Sequence, residues 1–130
     1  MNNHIVYLIM SIIFFFLLFV FPGLILSKGQ PSEPNNLIGF RTKRSSLSKE
    51  SWIYANTLAG KLILIYRIFC WLINIIIFIF MIILTLSGEI IKYLFYGQAG
   101  LFVLLYIIIY FKVQNNLNKV FDLNGNRRLQ

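Results

Sequence analysis

The sequence predicts an all-α integral membrane protein, with three transmembrane helices, a long cytoplasmic loop and an extended second helix. Three observations predict it. The 130 residues are 58% apolar and only 12% charged, with 13 phenylalanines and a mean hydropathy of +0.76; soluble domains run at roughly 45–50% apolar and about 25% charged. A soluble domain of this size buries only about two-thirds of its surface, too little to hide so many apolar side chains. Three runs are each long enough, at roughly 20 apolar residues, to cross about 30 Å of hydrocarbon as a helix. Finally, eleven of the twelve basic residues fall on one side of the frame these runs define. A disordered chain, a disulfide scaffold and a nucleic-acid-binding globule are excluded, so the net charge of +8 is read as a topology signal and an attraction to anionic headgroups.

The first span, about residues 5–27, carries no charge. It is read as a retained helix and not a cleaved leader, because Met1-Asn2-Asn3-His4 lacks Lys or Arg and the apolar run exceeds the usual leader core of about 7–15 residues. Pro22-Gly23 is expected to kink or end it. The second span, about 62–86, holds only Arg67 near its start, and the third, about 90–111, only Lys92. Ser87-Gly88-Glu89 makes a hairpin between them, with Glu89 and Lys92 spaced as an i, i+3 pair. The loop 28–61 and the tail 112–130 carry most of the cations, which places both in the cytoplasm and the N-terminus outside. Tyr93 and Tyr96 mark one interface and Tyr106 and Tyr110 the other. From Tyr93 to Tyr110 is about 25 Å of helix, close to the bilayer thickness. The tail from Gln114 is Asn-rich and basic and is expected to be mobile. The Ile, Asn and Lys bias suits the AT-rich genome of a Gram-positive bacterium.

The loop is patterned. Pro31 and Pro34 among turn formers predict irregular chain leaving the membrane. Ser48 is placed to cap a helix by accepting from the Ser51 amide, with Glu50 in the first turn and Leu47 stapling onto Trp52. From Lys49 that helix can run to Leu86, about 57 Å and nearly twice the bilayer, so its start projects from the membrane or bends at Gly60. Gly39 suits a turn with positive φ. Arg41 offers a forked set of donors for phosphate or carboxylate. Two readings stand side by side: Arg41, Thr42, Arg44 and Ser45 bind a lipid headgroup, a ligand or a partner, or they pair with Glu50 and only dock the loop. Trp52 and Asn56, one turn apart, are placed to pin the loop to the helix.

Within the spans, Asn74 is expected to hydrogen-bond between helices, and Gln98 in Gly97-Gln98-Ala99-Gly100 to mark a small-residue packing face, one that would also admit a second copy of the chain. With Glu33, Glu50, Glu89 and Asp122 as the only acids, no carboxylate relay, catalytic set, metal site or cofactor site is expected; Cys70 and His4 stand alone for chemistry.

The order Pro34-Asn35, Gly39-Phe40-Arg41-Thr42, Arg44-Ser45, Glu50, Trp52, Ala55-Asn56 and Ala59-Gly60-Lys61 resembles the signature of the SdpI family of small bacterial membrane proteins, in its short three-span form. That resemblance implies an immunity protein of the cell membrane, one that protects a Gram-positive producer from its own secreted membrane-active peptide toxin. It also implies that the loop recruits a cytoplasmic repressor. The rivals are a small transporter or envelope-stress protein, and a holin-like pore former.

Overall fold

The computed structural model describes residues 3–28, 32–35, 37–84 and 86–128, without the side chains of 3, 4, 8, 27, 28, 81 and 82. The expectations for the His4 side chain and for Pro31 lie outside it. Among the described residues the chain is helical: α1 (Asn3–Phe15), a π-helical turn (Phe16–Val20), α2 (Phe21–Lys28), α3 (Lys49–Ile83) and α4 (Gly88–Val120). Three helices are long and apolar enough to cross a membrane, Ile5–Leu26, Lys49–Phe80 and Gly88–Val120.

The first span does not end at Pro22-Gly23, for helix continues through both residues to Lys28. A proline in a regular helix has no N–H for the carbonyl one turn back, and its ring crowds that carbonyl. Here the five residues before Phe21 adopt π geometry, and the Phe21 N–H reaches back to the Phe16 carbonyl. The wider turn takes up the misfit and keeps the backbone bonded, which hydrocarbon demands.

The second helix begins as expected. Ser48 accepts from the Ser51 N–H and Ser51 accepts from the Ser48 N–H, each at 3.1 Å, so the box closes with serine where Glu or Gln is usual. It then runs through Gly60 without interruption and ends at Ile83, earlier than Leu86. At 35 residues it is about 52 Å long, well beyond the bilayer core.

The third helix departs most from expectation, extending to Val120 and not stopping near Phe111. The cause is a stripe of buried residues at three- and four-residue spacing, Phe102, Leu105, Ile109, Val113 and Leu117, that continues past the apolar run. Phe121 is buried next in register. The chain then folds back as a tight turn with an antiparallel bridge between Phe121 and Arg127. The described tail is therefore folded against the rest, held by the same side-chain burial that extends the helix.

The helices pack α2 on α3, α3 on α4 and α1 on α4. The bundle centre is aromatic: Phe19 meets Phe102 edge-on at 5.3 Å, a geometry that adds to simple burial, and lies tilted against Tyr106 at 5.2 Å. Ile12, Ile13, Leu17, Ile65, Ile68, Leu104 and Ile107 stay exposed on the outer faces, as side chains in contact with lipid do.

Candidate functional site

The loop expected to carry the information is folded back onto the first turns of α3. Asn35 opens it: its side-chain oxygen accepts from the Leu37 and Ile38 N–H groups, both at 2.9 Å, an Asx-type turn after Pro34. Gly39 has φ of +132°. A Cβ there would lie 2.8 Å from Asn56 Oδ1 and 2.8 Å from the Trp52 ring. Only glycine combines that φ with so close an approach. The Phe40 N–H donates to Asn56 Oδ1 at 2.6 Å, while the Asn56 amide donates to the Trp52 carbonyl at 2.9 Å. Trp52 and Asn56 are wholly buried, so these two residues clamp the turn at Gly39-Phe40.

Ser45 closes the next turn. Its hydroxyl donates to the Phe40 carbonyl at 2.8 Å and accepts from the Thr42 N–H at 2.9 Å, while its own N–H donates to Thr42 Oγ1 at 3.1 Å. Arg44 points the other way and donates to the Phe121 carbonyl at 3.0 Å, at the end of α4. A cation at a helix C-terminus meets both unpaired carbonyls and the negative end of the helix dipole. Glu50 pairs with Arg127 at 3.5 Å and not with the loop arginines, and Ser48 donates to the Gly125 carbonyl at 2.7 Å. Gly125, at φ +82°, brings the tail turn so close that a Cβ would meet Leu47 Cβ at 2.7 Å. Loop, tail and helix start thus form one platform. Gly60 lies buried within α3, just beyond the clamp.

These contacts split the four residues grouped as one headgroup site. Arg44 and Ser45 face inward and hold the platform together. Arg41 and Thr42 instead edge a cavity of about 610 Å³ beneath the loop, walled by α2, α3, α4 and residues 37–42. The ring of Phe40 packs on Tyr110 at 5.7 Å and ties the loop to the third span.

The tail turn is organised by Asp122, which accepts from the N–H groups of Asn126 and Asn124, each at 2.8 Å. The Asn126 N–H above all, and then that of Asn124, holds its carboxyl below the usual carboxylate range. A depressed folded-state pKa contributes stability above the unfolded value, lost as pH falls through the folded one. The turn is therefore expected to stay closed at neutral pH and to open only in acid below the ordinary carboxylate range. Amide resonances of Asn124 and Asn126 followed by NMR against pH check this; a midpoint at the usual aspartate pKa would contradict it.

Inside the membrane, Asn74 and Gln98 come together with Ser11, which sequence reading passed over because a lone serine in an apolar run has no distinctive spacing. The Gln98 amide donates to Asn74 Oδ1 at 2.6 Å, and the Ser11 hydroxyl lies 2.7 Å from Asn74 Oδ1 and 2.9 Å from Gln98 Oε1. The Asn74 amide donates to the Cys70 carbonyl at 3.0 Å. One polar cluster therefore joins all three spans. The neighbouring glycines do not share in this packing: a Cβ at Gly97 or Gly100 would meet nothing within 4 Å. The small-residue patch is a bare outer face, because Gln98 and not its glycines points inward.

A helical bundle of three membrane spans, capped at one end by a folded basic loop, defines a multi-pass membrane protein. The model of the SdpI/YfhL protein family matches residues 32–113, more than half of the chain, and the chain belongs to that family. The match covers the clamp, α3 and most of α4, and it leaves the first span and the tail turn outside. No curated protein and no solved structure shows significant similarity to the chain.

Proposed function

We propose that this protein confers immunity to a membrane-active peptide toxin in the cell membrane of a Gram-positive bacterium. Family membership carries the reading. The N-terminus is outside, and the loop and tail are cytoplasmic. Arg41, Lys43, Arg44, Lys49, Lys61, Arg67, Lys112, Lys119, Arg127 and Arg128 lie toward the loop end of the spans against Lys92 at the other, and Lys and Arg are retained on the cytoplasmic side. Protection is stoichiometric: the spans engage the toxin in the lipid and block its assembly, without catalysis. The clamped platform is the surface on which a cytoplasmic repressor would be held.

Asn74 also edges an apolar, half-open space of about 390 Å³, but the space that Ser11, Asn74 and Gln98 line together is only about 20 Å³, room for about one water, which speaks against a polar path through the three spans. The test is survival and membrane potential in a toxin-sensitive Gram-positive host, with and without the secreted toxin peptide. Held potential under toxin, lost with Arg41→Ala while the protein stays inserted, supports immunity exercised through the loop. Collapse without toxin would mean a pore former. Equal killing with and without the protein would remove the immunity reading.

A further inference from the structure

The groove under the loop has the form of a lipid site. Its volume of about 610 Å³ falls within the roughly 300–1,000 Å³ of ordinary ligand sites. Phe21, Ile25, Ile38, Ala59, Ile63 and Tyr110 supply its walls, and among the described lining residues the polar side chains besides tyrosine are Arg41 and Thr42. We propose that this groove holds one acyl chain of an anionic phospholipid, whose phosphate is bound at Arg41 and Thr42. The inference rests on the docked loop and stands apart from the immunity reading.

Four observations carry it. First, charge: among the described residues that line the groove Arg41 is a cation and none is a carboxylate. Second, Arg41 is exposed and its neighbour Lys43 is exposed beside it; a guanidinium matches phosphate through paired donors. Third, the groove lies where α2, α3 and α4 leave the apolar zone, beside Tyr106 and Tyr110, and interfacial tyrosines mark the headgroup level. An acyl chain can enter there from the bilayer while its phosphate stays at the mouth. Fourth, the described walls are mainly apolar side chains, so most N–H and C=O groups of an extended peptide would be left unpaired there at high cost. A hydrocarbon chain has no such groups.

The full-length protein in a neutral maltoside detergent is titrated with phosphatidylglycerol and with phosphatidylcholine of the same acyl chains, and bound lipid is counted by native mass spectrometry. Phosphatidylglycerol is expected to bind at least about tenfold more tightly, the difference one charged hydrogen bond supports. Arg41→Gln is expected to erase that difference, and Lys119→Gln, far from the groove, to preserve it. Ile25→Trp, which fills the groove, should weaken both lipids. Each variant is first checked for a trypsin-resistant loop, so that loss of folding is not read as loss of binding. Equal binding of the two lipids by the parent overturns the proposal. So does an equal loss in Arg41→Gln and Lys119→Gln, which would mean diffuse attraction. Competition by free glycerol phosphate as strong as by the whole lipid would show that the groove holds no chain.

Discussion

Trp52→Ala is expected to release the loop and leave the membrane spans in place. The indole is wholly buried, and its ring lies against Gly39. Removing such a side chain from a packed site costs about 3–5 kcal/mol. The loss falls mainly on the docked loop, because the lipid-facing residues of α3 are untouched. Where cleavage follows the population of the open form, a loss of about 3 kcal/mol raises its rate by roughly a hundredfold. The readout is limited trypsin digestion in the segment Arg41–Arg44, alongside carbonate extraction to confirm that the protein is still inserted. An unchanged cleavage rate would mean that Trp52 does not hold the loop.

Gly39→Ala should open the same clamp from the other side. Here two penalties combine. An L-residue at φ +132° is strained by about 1–3 kcal/mol, and the new methyl would sit 2.8 Å from both Asn56 Oδ1 and the Trp52 ring. Pushing Asn56 away also costs the Phe40 N–H its partner. These penalties can be separated. In a Trp52→Ala background the ring clash is gone while the φ strain persists, so Gly39→Ala should cost distinctly less there than in the parent. Additive effects in this double-mutant cycle would show that the two residues do not act on one contact.

Both experiments address a single physical arrangement. A loop of this length on a membrane surface would ordinarily sample many conformations. Here Asn56 satisfies a backbone donor, Ser45 satisfies its turn, and Arg44 ties the turn to the end of α4. The platform is consequently built from the motif residues themselves, and Arg41 and Lys43 are exposed on it. Docking of the loop and the binding proposed for it are therefore compatible readings of the motif, since the residues that fix the loop also fix where Arg41 stands.

Amino-acid order by itself determined the three spans, the Ser48 cap and the positive φ at Gly39. Each follows from local chemistry: a run of apolar side chains, a hydroxyl beside free N–H groups, and a residue without Cβ in a turn. The pairing of Trp52 with Asn56 was also legible, because residues one helical turn apart share a face. Other features were decided only by tertiary structure. Arg41 and Arg44, three residues apart in one basic run, diverge because the Ser45 turn sends one toward the groove and the other to the Phe121 carbonyl. Ser11 acquires its role only when α1 lies against Asn74 and Gln98. The tail reads as polar, but Val113, Leu117 and Phe121 recur every fourth residue, and that stripe becomes a helix because the projecting end of α3 and the folded loop cover it. Composition averages over residues, whereas burial depends on which few of them meet a partner from a distant part of the chain.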